Sequence, residues 1–386
     1  RHGLTGAYRH LSPPPFTQWD LAVGIDRNFR VDVPIGREKA LVAALSRSAA
    51  DFEWVHMVWL PNGAGALLAP NDPKYTQGNQ SYLGWINMER AWDRTVSSSA
   101  IVIAVLDSGL YAGHEDSGVW KQRDGWDYLT ETAMPKGQAT DSGCAFGHGT
   151  KVSTMAAADT NQATPLGMAG TGFNSGILPE KVLRSDCTYG ATSLGSITYD
   201  WPIRWATSQG AHIINMSYDI GTYLPPEMQD ALAAAWSAGV TPLASAGNAN
   251  RDHRVQNRYP CDASYVICVG AVQSSTGTKW SLSDYGPGFV DVMAPGYLIL
   301  GATNQSTSDY RTDSGTSYAS PLTAGVFALL RSLGKTPDQQ WSDIAATAQY
   351  PGGNDPNQWS SYGLINAGAA LWRWRGVRVA YLAAVP

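Results

Sequence analysis

The sequence predicts an α/β protein with a mostly parallel central sheet that is covered by helices on both faces. From about residue 100 onward, short apolar segments typical of strands alternate with segments that have the periodicity of helices. Strands that are apolar on both faces are typical of parallel sheets with helices on each side. The chain is large enough for such a core, because 44% of its 386 residues are hydrophobic.

The strands of this sheet are short apolar runs, and the helices are the periodic segments that separate them. We predict strands at residues 100–107, 212–218, 240–247 and 265–272. We predict helices at residues 147–158, 200–209, 227–239 and 321–333. The last helix has Pro321 near its first turn, where a missing N–H group is tolerated.

A smaller unit precedes the predicted sheet. Residues 1–25 are irregular and interrupted by prolines, and residues 62–80 have the composition of a linker. Between them, residues 28–34, 36–50 and 51–61 have the patterns of a strand, an amphipathic helix and a second strand. We therefore predict a small N-terminal α+β unit.

Composition and charge argue against several classes of protein. The formal net charge is −5 and no long basic run is present, so we do not expect nucleic acid as a partner. No window approaches about 18 consecutive apolar residues, so we expect no membrane span. The N-terminus lacks the apolar stretch of a signal peptide.

The chain has four cysteines, and their spacing argues against a zinc ribbon or a thioredoxin-type motif, because no CxxC pair is present. An even number of cysteines permits two disulfides and indicates an oxidising compartment. Four unpaired thiols are the alternative at this point.

Three residues with the chemistry of nucleophilic catalysis lie at the ends of predicted elements. Asp107 ends a buried strand, where ligands of parallel sheets gather, although an aspartate there often only caps a turn. His148 lies between two glycines at a helix start, and Ser317 lies where the N–H groups of the last helix favour negative charge. A carboxylate can orient an imidazole, and the imidazole can take the proton of a hydroxyl. Each residue alone has a simpler structural explanation, but the set predicts a catalytic group.

A fourth residue supports this prediction. Asn248 follows Gly247 at the end of an apolar strand, in PLASAGNAN. Its side-chain amide could donate a hydrogen bond to a developing oxyanion, with the backbone N–H of Ser317 as the second donor. A turn asparagine after a glycine is the structural alternative.

These motifs carry a resemblance to a known family. The runs VLDSG, GHGT, NMS, ASAGN and SGTSYASP, in this order, resemble the subtilisin-like serine peptidases over about residues 72–371. The resemblance implies a three-layer α/β/α fold and endopeptidase activity on protein or peptide substrates. It assigns the base to His148, its orienting acid to Asp107, the nucleophile to Ser317 and the oxyanion donor to Asn248.

The substrate pocket departs from the usual pattern of this family. The strand that binds the substrate backbone reads Ser217, Tyr218 and Asp219, where the family usually has glycine after the second position. The other candidate substrate-binding residues are Ala246, Gly247 and Arg258. Asp219 and Arg258 are expected either to form a structural pair that shrinks the pocket or to select acidic or polar side chains. Both explanations predict a narrow specificity.

The resemblance also implies a calcium site and two disulfides. Matched positions place Gln77, Asp116 and Asn161 at calcium ligands, and their oxygen atoms suit this ion. Three ordinary polar surface residues are the alternative. The implied pairs of cysteines are Cys144 with Cys187 and Cys261 with Cys268.

Finally, the resemblance implies how the chain is organised. Residues 28–61 resemble the core of subtilisin propeptides, which assist folding and inhibit the enzyme, so the N-terminal segment is expected to be an intramolecular inhibitor of a secreted zymogen. We expect a propeptide-like part at 1–75, with processing near Tyr75–Thr76, a catalytic domain at 76–371 and a tail of unassigned role at 372–386. A catalytically silent relative that only binds peptides is the main alternative, and an ester hydrolase is a second one.

Overall fold

The computed structural model describes residues 6–9, 28–32, 52–57, 68–190, 198–349, 359–373 and 380–384. The chain forms two compact units. The larger unit comprises residues 67–372, and the smaller one comprises residues 1–66 together with residues 373–386.

The larger unit is built on a sheet that has ten strands in the part of the chain that the structure describes. These strands are β4 (Val102–Asp107), β5 (Gly125–Asp127), β6 (Thr132–Met134), β7 (Gly176–Lys181), β8 (Ile213–Met216), β9 (Thr241–Ser245), β10 (Ile267–Gln273), β11 (Thr278–Lys279), β12 (Val292–Pro295) and β15 (Gly363–Leu364). Their order is β15-β12-β10-β9-β8-β4-β7-β5-β6, and β11 pairs with β10. Only β6 and β11 pair antiparallel within this sheet, so the predicted mostly parallel sheet is confirmed.

Helices flank the sheet in the three-layer arrangement that the sequence predicts. They are α1 (Pro73–Thr76), α2 (Tyr82–Trp85), α3 (Met88–Arg94), α4 (His148–Ala157), α5 (Asp200–Ser208), α6 (Pro226–Ser237), α7 (Thr316–Ser332), α8 (Pro337–Ala345) and α9 (Ala367–Leu371). Helix α4 packs on α7, which lies against the central strands, and α5 packs on α6. A hairpin of β13 (Ile299–Ala302) and β14 (Tyr310–Asp313) packs on α4. The core lies between these layers and the sheet, where apolar side chains of β4, β8, β9 and β10 are buried.

Helix α7 begins at Thr316, five residues earlier than predicted, because the helix continues through Pro321 instead of starting there. Pro321 has no N–H group for the carbonyl of Ser317, four residues before it. That carbonyl instead accepts a hydrogen bond of 2.9 Å from the hydroxyl of Ser217. The substitution of a side-chain donor lets the helix run through the proline, and it ties the start of α7 to the end of β8.

The smaller unit contains an antiparallel sheet of order β1-β2-β16-β3, formed by Gly6–Arg9, Asn28–Asp32, Ala380–Ala384 and Phe52–Met57. Two of these strands occur where the sequence predicts them, and the predicted helix at 36–50 lies outside the described residues. Residues 380–384 pair with β2 and β3. The described residues of the tail, 380–384, thus belong to this sheet.

The boundary between the units also differs from the predicted one at residue 75. Residues 71–76 belong to the larger unit, because the N–H of Lys74 bonds to the carbonyl of Gly167 and the N–H of Asn71 bonds to Asn161.

Both predicted disulfides, Cys144–Cys187 and Cys261–Cys268, are confirmed. None of the helices that the structure describes is long and apolar enough to cross a membrane.

Candidate active site

Asp107 is the last residue of β4, a strand in which every residue is buried. Its carboxylate is fully buried, and its Oδ1 atom accepts the N–H of Ser108 at 2.7 Å. The same oxygen lies 2.7 Å from Nδ1 of His148. The acid and the imidazole that lie 41 residues apart in the sequence are therefore directly hydrogen bonded.

His148 is the first residue of α4, and the hydroxyl of Ser108 fixes the start of this helix by accepting the N–H of Gly149 at 2.7 Å. The imidazole is 12% exposed, which leaves an edge open to the cleft. Burial lowers the pKa of His148, but the charge of Asp107 and its hydrogen bond outweigh burial and raise the pKa above its ordinary value. Asp107 is therefore placed to stabilise the imidazolium.

A buried lysine lies three residues after His148 on the same helix, within electrostatic reach of the imidazole. Lys151 of α4 is 1% exposed, and its Nζ lies 3.0 Å from Oδ2 of Asp313. This carboxylate also accepts the hydroxyl of Tyr318, whose ring lies 5.6 Å from that of His148. The lysine and the tyrosine thus link the helix of His148 to the helix of Ser317.

Ser317 lies in the first turn of α7, and its hydroxyl faces the same cleft as His148. In this structure the hydroxyl donates to the backbone carbonyl of Ser217 at 3.2 Å, rather than to the imidazole. Hydrogen bonds between nucleophile and base are often loose without substrate. A rotation about the Cα–Cβ bond of Ser317 is what would turn the hydroxyl toward the imidazole.

The side-chain amide of Asn248 has a fixed orientation. Its Oδ1 atom accepts both the N–H and the hydroxyl of Thr316, each at 2.9 Å. The carbonyl half is therefore used by the residue before Ser317, and the Nδ2 half is left for the cleft. Asn248 and the N–H group of Ser317 thus offer two donors beside the Ser317 hydroxyl, as an oxyanion hole would require.

These residues share one open cleft of about 400 Å³. Of the predicted residues, it is lined by His148, Ser217, Tyr218, Asp219, Gly247, Asn248 and Ser317. Ala246 is 1% exposed, and Arg258 contacts Asp219. The cleft also contains residues that sequence reasoning missed, namely Cys144, Leu183, Cys187, Ser245, Ala249 and Arg251.

The charged residues of the pocket form ion pairs with each other. Two nitrogens of Arg258 donate to Oδ2 of Asp219, and Nη1 of Arg251 lies 3.8 Å from the same oxygen. The other oxygen of Asp219 accepts the N–H of Gly221 at 2.6 Å. Arg251 lies three positions after Asn248 in the sequence, and this proximity could have identified it as a cleft residue.

The predicted calcium ligands come together only in part. Asp116 and Asn161 lie in one region, but the residue of the N-terminal segment that reaches them is Asp72, whose carboxylate accepts the N–H of Asn161. Gln77 is exposed at the end of α1. The helical turn of α1 separates Gln77 from Asp72, so the side chain that lies beside Asn161 is that of Asp72.

The residues present fit a hard cation. Burial raises the pKa of Asp72 and raises that of Asp116 to about 7, and the charge of Asp72 further raises the pKa of Asp116. Two buried acids that repel each other are a costly arrangement that an ion with oxygen ligands would relieve. The loop that contains Gly167 packs closely against Asp116, because a Cβ atom at Gly167 would lie 2.0 Å from Oδ1 of Asp116.

The fold and the site together define a serine endopeptidase. A family model described as the Subtilase family matches residues 98–358, and the chain belongs to this family. It is 35% identical over 303 residues to thermitase from Thermoactinomyces vulgaris, a match that covers 78% of this chain and 99% of thermitase. It is 31% identical to an extracellular protease from Xanthomonas campestris pv. campestris, over 78% of this chain and 56% of that protein. Among solved structures, a protease from Pseudoalteromonas arctica PAMC 21717 is similar, with a TM-score of 0.64, 25% identity and coverage of 79% of this chain and 99% of that one.

Proposed function

We propose that this endopeptidase cleaves peptide bonds through an acyl-enzyme on Ser317. The observation that carries the proposal is that His148, which is hydrogen bonded to the buried Asp107, borders one cleft together with Ser317 and Asn248. His148 takes the proton of Ser317 as the oxygen attacks the carbonyl carbon, and Asp107 stabilises the resulting imidazolium. The Nδ2 group of Asn248 and the N–H of Ser317 hold the oxyanion.

The second half of the reaction uses the same groups. His148 gives its proton to the leaving amine, so that the acyl-enzyme remains on Ser317. It then takes a proton from water, which attacks the acyl carbon, and it returns the proton to Ser317 as the acid product leaves. The cleft wall at residues 217–219 is suited to hold an extended peptide beside the nucleophile.

Replacing Asn248 by alanine is expected to lower kcat by about 10²- to 10³-fold, because one of two oxyanion donors is lost. The oxyanion exists only after attack, so KM should change much less. Steady-state kinetics on a peptide substrate measures both constants. Asn79→Ala, at an exposed site between α1 and α2, is the control and should leave kcat unchanged. An unchanged kcat in Asn248→Ala would remove the amide from the mechanism.

We infer that the pocket for the substrate residue before the scissile bond is narrow. The side chains of Asp219 and Arg258 pair with each other, whereas glycines at these two positions would leave open space. Exchanging both residues for glycine should raise kcat/KM for substrates with a large apolar residue there by roughly 10-fold or more. A peptide library measures the preference. The ion pair Asp200–Arg204 on α5, replaced by alanines, is the matched control. Free acceptance of large apolar residues by the unaltered enzyme would contradict the inference, and a preference for acidic residues would support the selective role of Arg258.

We propose calcium as a structural ion held by Asp72, Asp116 and Asn161. Chelation is then expected to lower the melting temperature, since an ion that binds only the folded state stabilises it. Asp72→Asn should abolish most of this shift, whereas Gln77→Ala should retain it. Thermal unfolding with calcium and with a chelator measures the shift in each variant. The opposite pattern, with Gln77 required and Asp72 dispensable, would restore the ligand set expected from the sequence.

We also propose that the enzyme is secreted as a zymogen and that its N-terminal segment acts as an intramolecular inhibitor. Two disulfides and the similarity to an extracellular protease from Xanthomonas campestris support an extracellular location. Cleavage at Tyr75–Thr76 would remove Asp72, so we now expect processing before residue 71. N-terminal sequencing of the mature enzyme tests this position.

A catalytically silent peptide-binding protein is the alternative. A fluorophosphonate probe distinguishes the two, because it labels only an activated serine. Labelling at Ser317 supports the peptidase, and an unlabelled folded protein supports the alternative.

A further inference from the structure

A buried histidine that the reaction does not use lies behind the cleft. His253 is fully buried, and both of its ring nitrogens face carboxylates. Nδ1 lies 2.7 Å from Oδ1 of Asp262, and Nε2 lies 3.7 Å from Oδ2 of Asp284. Both acidic side chains are also fully buried. Such carboxylates are tolerated when a cation compensates them.

The charges of this cluster are consistent with a histidine cation. Burial alone lowers the pKa of His253, but the two carboxylates outweigh it and raise the pKa to about 9. Burial raises the pKa of Asp284, yet the nearby His253 and the N–H groups of Arg251 and Ala249 outweigh burial and leave this pKa below its ordinary value. Arg251 adds a second positive charge, 3.5 Å from Oδ2 of Asp284.

A metal ion does not explain the cluster. His253, Asp262 and Cys268 are close enough to hold one. However, the sulfur of Cys268 is bonded to that of Cys261, so no thiolate ligand is available.

Asp284 connects the histidine to the loop that carries Asn248. Its Oδ1 atom accepts the N–H groups of Ala249 and Arg251, each at 2.8 Å. Its own N–H donates to the carbonyl of Gly247 at 2.9 Å. Gly247 has a φ of +118°, and a Cβ atom there would lie 2.4 Å from Oδ2 of Asp284. The backbone on both sides of Asn248 is thus held against this one carboxylate.

Asp262 connects the same histidine to the loop of Arg258. Its Oδ2 atom accepts the N–H of Arg258 at 2.6 Å, and its own N–H donates to the carbonyl of Arg258 at 2.9 Å. His253 is therefore anchored on one side to the pocket and on the other side to Asp284.

We propose that His253 is a positioning residue for the oxyanion donor: its buried cation holds Asp284, and Asp284 holds the loop that aims the amide of Asn248 at the cleft. The inference rests on the proposed role of Asn248. It assigns no contact with substrate to His253, which acts only through Asp284.

A double-mutant cycle between His253→Gln and Asn248→Ala tests the inference, with kcat and KM measured on one peptide substrate at neutral pH. A misplaced catalytic group costs up to about 100-fold in rate, so His253→Gln should lower kcat by roughly 10- to 100-fold with a smaller change in KM. The double variant should have nearly the kcat of Asn248→Ala alone, since an absent amide cannot be misplaced. A merely structural role would instead make the two effects multiply.

Two further variants complete the design. His212→Asn is the control, because His212 accepts the N–H of Val102 at the opposite end of β4 from Asp107, and its kcat should equal that of the parent. If His253→Gln does not fold, His253→Gln with Asp262→Asn removes one positive and one negative charge together and enters the same cycle. Multiplicative effects would overturn the inference and leave the proposed function intact. An unchanged kcat in Asn248→Ala would overturn the proposed role of Asn248 and this inference with it.

Discussion

Replacing Ser317 by alanine is expected to lower kcat by about 10⁶-fold, because the nucleophile is lost and the rest of the group works only through it. Binding should persist, since the wall at residues 217–219 and the oxyanion donors remain. Active-site titration and steady-state kinetics on the same peptide measure the loss. Helix α7 should keep its start, because the contact between the Ser217 hydroxyl and the carbonyl of residue 317 uses backbone at that position.

The control for this variant is Ser306→Ala, at an exposed serine of the loop between β13 and β14, which should retain full activity. The variant Ser317→Ala also tests whether the enzyme processes its own N-terminal segment. Ser317→Ala should keep its full length while the parent loses its N-terminal segment. Equal cleavage of both proteins would mean that another protease removes the segment, and residual activity within 100-fold of the parent would refute Ser317 as the nucleophile.

Replacing Asp107 by asparagine is expected to lower kcat by about 10⁴-fold. The amide would keep the shape of the buried side chain, but an NH₂ group facing Nδ1 of His148 would favour the tautomer that cannot accept the proton of Ser317. Kinetics across pH adds a second readout. Asp107 raises the pKa of His148, so its neutralisation should move the acid limb of kcat/KM to lower pH.

Asp230→Asn, at an exposed aspartate on α6, is the control for this substitution and should leave both kcat and the acid limb unchanged. An acid limb that stays in place in Asp107→Asn would show that another group sets the pKa of the base. A loss of less than 10-fold would show that Asp107 does not orient His148.

Much of the fold was predictable because its strands have a simple pattern. Strands β4, β8, β9 and β10 are almost entirely buried, and this requirement produces the mainly apolar runs that predict them. Strand β7 was missed because Pro179, Glu180 and Lys181 interrupt its apolar run, although it pairs with β4 along its whole length. Proline and buried charge are atypical of a central strand, so only the neighbouring strands identify it.

Local sequence could not distinguish the N-terminal calcium candidates. Asp72 and Gln77 both carry oxygen atoms and lie five residues apart, and the resemblance implied Gln77 without naming Asp72. The helical turn of α1 leaves Gln77 exposed and Asp72 bonded to Asn161, which is why we propose Asp72 as the ligand. The strand at 380–384 is a similar case, since its partners lie more than 300 residues earlier in the chain.

The sequence by itself determined the class of chemistry. An acid, an imidazole, a hydroxyl and an amide are required for acyl transfer, and each one occurs in a local motif at the end of a predicted strand or the start of a helix. The tertiary structure alone decided how these groups are held. Asp284 accepts N–H groups of the loop that carries Asn248, the Ser217 hydroxyl donates to the carbonyl of Ser317, and Arg258 donates to Asp219. The physical reason is that a local motif depends on the conformation of consecutive residues, whereas each of these supports is a hydrogen bond between segments that only the folded sheet brings together.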